Sequence, residues 1–209
     1  MVAVRAVVFD LDGVLIDSEP VWREVEAEVA AEFGFEYSDE LAQRMHGRGV
    51  QGVADIVMEQ LQNPDRALDA SRAMVERMVE RGSAGRVPVM PGAPDLLETL
   101  RGRVKLAVAS NSVRRYVEGS IARLGPFDAV VAGDEVEHPK PAPDLYLRAA
   151  EHLGEDPAAC VAVEDSPVGI ESARAAGMRV VAVEGLAGPL GEGAFPNLAA
   201  VTVEDLLDT

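Results

Sequence analysis

Five short runs of strand-forming residues, each ending on a polar or glycine-rich turn, constrain the fold of this chain more than any other feature. They are "VRAVVFD" ending at Asp10, "VKLAVAS" ending at Ser110, "FDAVVAGD" ending at Asp134, "CVAVED" ending at Asp165, and "MRVVAVEG" near residues 178–185. Runs this short and this apolar read as strands buried on both faces, and helical patterns starting near Val113, Pro143 and Ser166 separate several of them. The alternation predicts an α/β fold: a Rossmann-like parallel sheet with helices on both faces. In open sheets of this kind ligands gather at the carboxyl ends of the strands, where Asp10, Ser110, Asp134 and Asp165 all fall.

One segment breaks the alternation. Between residue 18 and about residue 81 apolar side chains recur at helical spacing: Val21, Val25, Val29 and Phe33, then Val53, Val57 and Leu61, then Met74 and Met78. These stripes are core packing. Ser18, with Pro20 following, is placed to cap the first helix, and Ser38, followed by Asp39 and Glu40, the next. A turn after Gly13 and the Gly- and Pro-rich "GSAGRVPVMPG" from Gly82 to Gly92 bracket the segment. The expected organisation is a core of residues 1–16 and 83–209 with an all-helical cap, residues 17–82, inserted as a lid. After Val183, "EGLAGPLGEGAFPNLAA" reads as loop, and "VTVEDLL" as a short strand followed by a helical turn.

The chain is 209 residues long, enough for one domain with an insertion, and its formal net charge is -17. That charge argues against a nucleic acid or an anionic membrane as partner. It does not exclude a phosphorylated small molecule, because exposed charges are screened beyond about 8 Å. No apolar run approaches the roughly 20 residues of a membrane span, and no basic stretch followed by a long apolar one opens the chain, so a cytoplasmic protein is expected. A monomer is the default. Cys160, the single cysteine, opens an apolar run and reads as a buried strand thiol in a reducing compartment. Among 19 basic residues only Lys105 and Lys140 are lysines, which makes a lysine in a motif-like setting informative.

Asp10 and Asp12 lie on the same side of an extended chain, with Leu11 facing away. Two carboxylates so close repel unless a cation lies between them or one takes up a proton. Taken singly, each polar group has a bland reading: an acidic turn for Asp10 and Asp12, a helix cap for Ser110, an exposed loop cation for Lys140 between Pro139 and Pro141, and a solvated turn for Glu164 and Asp165. Asp134 is either an acid behind the rim or a turn residue. Their conjunction at several strand ends favours chemistry: a hard dication removes the repulsion of converging acids, and Ser110 with Lys140 offers a donor and a compact charge to an anion.

The ordered set Asp10-Leu11-Asp12-Gly13, Ser110-Asn111, Lys140-Pro141 and Glu164-Asp165-Ser166 resembles the haloacid dehalogenase superfamily of phosphohydrolases. It is most similar to the branch with a small helical cap that holds β-phosphoglucomutase and many sugar-phosphate and phosphoglycolate phosphatases. The resemblance implies that Asp10 is the nucleophile and Asp12 the general acid and base. It implies further that Ser110, Asn111 and Lys140 bind the phosphoryl group. A magnesium ion would be held by Asp10, Asp12 through its backbone carbonyl, Glu164 and Asp165. Where β-phosphoglucomutase has a cap-side histidine this chain has Trp22, and the positions of that enzyme's phosphate-gripping cap residues fall near His46 and Val50, a poor match. Hydrolysis of a small phosphorylated metabolite is therefore the leading expectation, with a phosphomutase as the alternative and a non-enzymatic phospho-acceptor switch as a remote one. Trp22 and, in the cap stretch "MHGRGVQG", His46, Arg48 and Gln51 are candidates for selecting the substrate.

Overall fold

The computed structural model describes residues 3–45, 48, 50–184 and 193–208. All five strand runs form strands: β1 (Ala6–Phe9), β2 (Lys105–Ser110), β3 (Ala129–Ala132), β4 (Cys160–Glu164) and β5 (Arg179–Ala182). They pair in parallel in the order β3-β2-β1-β4-β5, which puts β1 at the centre. Alternate residues feed the two faces. Val7, Phe9, Val108, Val161 and Val163 join one buried cluster, whereas Ala6, Val8, Ala107, Ala109, Cys160 and Ala162 join the other. The second face is lined by alanines, and a helix with Leu145, Tyr146 and Ala149 packs close against it. This is the expected α/β architecture.

Four helices, α1 (Glu19–Phe33), α2 (Asp39–Met45), α3 (Val50–Leu61) and α4 (Pro64–Ser83), follow β1 in the chain before the other strands begin. Their apolar stripes meet one another as the i, i+4 spacing requires, with Val25, Val29, Val57, Met74 and Met78 buried. Asn63 accepts the Arg66 N–H at the start of α4, and Ser38 accepts the Leu41 N–H at the start of α2. Ser18 is buried and does not cap α1 with its side chain. The remaining helices are α5 (Ala93–Leu100), α6 (Arg114–Ile121), α7 (Asp144–Leu153), α8 (Pro167–Ala175) and α9 (Val203–Leu207).

Two expectations for the C-terminal part change. "VTVEDLL" contains no strand. Thr202 and Asp205 cap each other reciprocally, Thr202 N–H to Asp205 Oδ2 at 2.8 Å and Asp205 N–H to Thr202 Oγ1 at 3.2 Å, so helix α9 starts one residue after the threonine. Strand β3 stops at Ala132, and Asp134 lies in a 3-10 turn, where its Oδ1 accepts the Arg114 N–H at 2.9 Å and closes the start of α6. Its turn reading is the one realised. Cys160 is buried on β4, and burial pushes its thiol up to about 11. Among the described residues no helix is long and apolar enough to cross a membrane.

Candidate active site

The site grows from the end of β1. The ladder continues one step past the strand, with the Asp10 N–H donating to Val163 O at 3.0 Å, so Asp10 leaves the sheet held by its neighbour β4. Gly13 then turns the chain with φ 84°, a left-handed conformation that a Cβ disfavours, and sends Val14, Leu15 and Ile16 back into the core. The equivalent end of β4 delivers Glu164 and Asp165. One oxygen from each of Asp10, Glu164 and Asp165 lies within 4.8 Å of the others, and all three residues are buried.

A cation answers this charge. Lys140 Nζ donates to Asp10 Oδ1 at 2.5 Å and to Glu164 Oε1 at 2.6 Å, and sits 4.9 Å from the centroid of the Tyr146 ring. Burial opposes charge on this amine, yet the attraction of Asp10 and Glu164 outweighs it and holds the ammonium above its usual range. Asp10 is also shifted upward: burial is the main cause, Lys140 works against it, and Glu164, Asp165 and Asp12 add to it. One ammonium among four carboxylates leaves an excess of negative charge that retains protons and attracts a further cation.

Glu164 is fully buried and hydrogen-bonded on both oxygens. Tyr146 donates its hydroxyl to Oε1 at 2.7 Å, and Oε2 accepts from the Asp165 N–H, the Ser166 N–H and the Ser166 hydroxyl at 3.1–3.3 Å. The backbone of α8 closes over it so tightly that a Cβ built on Gly169 overlaps the Glu164 carboxylate. Gly169→Ala is therefore expected to cost roughly 1–3 kcal/mol, the range of overpacking a filled site. Urea denaturation measures it, and an unchanged midpoint would show that the carboxylate can step aside.

Ser110 and Asn111 end β2 on the same rim. The buried Ser110 hydroxyl accepts the Ser112 N–H at 3.1 Å and, as the acceptor there, retains its own hydrogen for an incoming oxygen. Asn111 does something the sequence did not suggest: its Oδ1 accepts the Lys140 N–H at 2.9 Å, so its amide fastens the lysine loop to β2. Asp12 is half-buried. Ser112 donates to its Oδ2 at 3.0 Å and Tyr116 to its Oδ1 at 3.1 Å.

The selectivity candidates are placed differently. Trp22, in the first turn of α1, packs edge-on against Tyr116 with ring centroids 6.2 Å apart. Arg48 borders a cavity of about 260 Å³ together with Arg44, Gly52, Asp55 and Ile56, and Gln51 donates to Asp55 at 2.8 Å. Among the described residues neither Arg48 nor Gln51 is hydrogen-bonded or ion-paired with Asp10, Asp12 or Glu164. His46 lies outside the described residues.

Ser112, Tyr116 and Tyr146 escape a reading of motifs. One signal was present: the chain has only three tyrosines, Tyr37, Tyr116 and Tyr146. A tyrosine on a buried helical stripe needs a partner for its hydroxyl. Each of the three donates to a carboxylate, Tyr37 to Glu26.

A parallel sheet whose central strand ends in a buried aspartate, paired with a buried lysine and flanked by two further acids, is the site of an α/β enzyme built around a carboxylate. A family model described as haloacid dehalogenase-like hydrolase matches residues 4–177. The fructose-1-phosphate phosphatase YqaB of Escherichia coli is 35% identical over 181 residues, 84% of this chain and 94% of that protein. A phosphorylated carbohydrates phosphatase of Thermotoga maritima is 35% identical over 178 residues, 83% of this chain and 82% of that protein. The crystal structure of CbbY from Rhodobacter sphaeroides in complex with xylulose-(1,5)bisphosphate superposes with a TM-score of 0.82 at 29% identity, covering 97% of this chain and 99% of that one. The chain belongs to the haloacid dehalogenase-like hydrolases, and it is an enzyme of the phosphatase type.

Proposed function

We propose that this enzyme hydrolyses a small phosphorylated sugar or related metabolite, with magnesium, through an aspartyl-phosphate on Asp10. The observation that carries the reading is the Lys140 bridge between Asp10 and Glu164 at the strand ends, with Asp165 beside them. The relatives that act on fructose 1-phosphate and phosphorylated carbohydrates support the substrate class.

In this reading an Asp10 oxygen attacks phosphorus and the bond to the ester oxygen breaks. Lys140 fixes the rotation of the Asp10 carboxylate by holding Oδ1 and balances charge on the transferring group. The Ser110 hydroxyl donates to a phosphoryl oxygen, and the Asn111 backbone N–H serves as a second donor. Asp12 gives its proton to the leaving alkoxide, then takes one from the water that cleaves the aspartyl-phosphate, which restores Asp10 and releases orthophosphate. The donor set of hard carboxylate oxygens fits a magnesium ion, with Asp10, Asp165 and the Asp12 carbonyl as ligands. Glu164, read from the sequence as a further ligand, has both oxygens engaged by Lys140, Tyr146, Ser166 and the Asp165 N–H, and so supplies charge to that set while orienting Lys140. When bound, the ion would neutralise charge on the phosphoryl group.

Helices α1–α4, residues 17–82, act as the lid that excludes water and carries selectivity through Trp22, His46, Arg48 and Gln51. The Trp22 indole, committed to Tyr116, takes the place of the mutase histidine and favours hydrolysis over phosphomutase chemistry. The test is phosphate release from a panel of sugar phosphates. Turnover should stop with excess chelator and return with Mg2+, and β-glucose 1-phosphate should yield free phosphate and no isomerised sugar. Full activity in metal-free buffer would contradict the reading.

A further inference from the structure

Tyr116 touches three things at once. Its hydroxyl donates to Asp12 Oδ1 at 3.1 Å, its ring meets Trp22, and the buried Ser18 side chain lies near its hydroxyl where the chain leaves the sheet for α1. The residue is 1% exposed, while Asp12 is only half-buried. The phenol hydroxyl is the donor of this pair and the Asp12 carboxylate the acceptor. Ser112 occupies the other Asp12 oxygen at 3.0 Å. The two donors come from the loop and first turns that follow β2, which makes the direction of the Asp12 carboxylate a property of α6. Trp22 and Ser18 both belong to the start of the helical insertion.

We propose that Tyr116 is a positioning residue that sets the orientation of Asp12 and couples it, through Trp22, to the seat of the helical insertion. This deepens the acid–base reading of Asp12 and rests on it. A proton is needed only by an ester whose alkoxide leaves badly. A sugar phosphate has such a leaving group; p-nitrophenyl phosphate does not, because its phenolate leaves without protonation. The second-order constant kcat/KM reports steps up to departure of the alcohol, so the later attack of water does not obscure the comparison.

Tyr116→Phe keeps the ring and removes the hydroxyl, and the half-buried Asp12 oxygen it frees can be rehydrated. The expected result is a loss of roughly tenfold or more in kcat/KM for a sugar phosphate, out of the 10²–10⁴ typical of general acid catalysis, with p-nitrophenyl phosphate changed less than about twofold. Equal losses on both esters, or none on either, would overturn the inference. Asp12→Asn is the control for the reading beneath it. It should show the same split, larger; if it does and Tyr116→Phe does not, only the positioning role falls, and if Asp12→Asn shows no split the acid assignment falls and takes the inference with it. Trp22 is the sole tryptophan and gives a readout independent of turnover. Asp12→Ala should shift its emission in the native background and not in Tyr116→Phe, whereas the same shift in both backgrounds, or none in the native one, would remove the coupling.

Discussion

Asp10→Asn is expected to lower phosphate release by on the order of 10⁴-fold or more, the scale seen when a covalent nucleophile is removed. An amide oxygen of the same size cannot attack phosphorus usefully, whereas its packing among Val163, Lys140 and Glu164 is preserved. The variant folds for a physical reason as well. Asp10 is a buried acid whose charge is disfavoured by burial and by three neighbouring carboxylates, and a neutral side chain removes that conflict at the cost of one counter-charge for Lys140, whose N–H the amide oxygen can still accept. Steady-state phosphate release, with a thermal unfolding curve alongside, measures both halves. Residual activity within about tenfold of the native enzyme would rule Asp10 out as the nucleophile.

Lys140→Met gives the second large effect, on stability and activity together. Lys140 bridges Asp10 and Glu164, and both partners are buried. Removing one member of a buried ion pair leaves an uncompensated charge, and such losses run to about 3–5 kcal/mol. Glu164 retains Tyr146, Ser166 and the Asp165 N–H, which places the result nearer the lower end. Turnover should fall by roughly 10²–10³-fold as the charge facing the phosphoryl group disappears. Denaturant unfolding and kcat together test this. A variant as stable as the native chain would mean that Asp10 or Glu164 is neutral without the lysine and that the bridge contributes little.

Much of the core was legible because its physics is local. A strand buried on both faces must be apolar along its length, so the five runs stand out, and the polar residues Asp10, Ser110 and Asp165 that end three of them mark the rim. Lys140 was legible by contrast with an arginine-rich background and by its flanking prolines. Helix α5 was not: it is eight residues long and follows directly on the Gly- and Pro-rich stretch, so its Leu96, Leu97 and Leu100 are too few turns to announce a period. "VTV" imitates a strand because Val201 and Val203 are both buried, but the reciprocal cap between Thr202 and Asp205 decides for helix. Ser18 carries the residue type of a cap, yet it is buried and its side chain makes no cap hydrogen bond to α1. The tyrosines that hold Asp12 and Glu164 lie on helices, and which acid each meets is fixed by how α6 and α7 pack on the sheet. Spacing along the chain contains no such information. The side chain of Asn111, likewise, finds the Lys140 loop 29 residues away only once β2 and that loop are assembled.

The central claim is that Asp10 accepts the phosphoryl group covalently, and trapping that group tests it most directly. Enzyme mixed with Mg2+ and a sugar phosphate carrying labelled phosphorus is quenched in acid within one turnover, reduced with borohydride, which converts an aspartyl-phosphate to homoserine, and digested for mass analysis. The account predicts label on the protein before reduction and homoserine at position 10 after it, with neither in Asp10→Asn. Steady release of orthophosphate by an enzyme that is never labelled, or label found on another side chain, would contradict it.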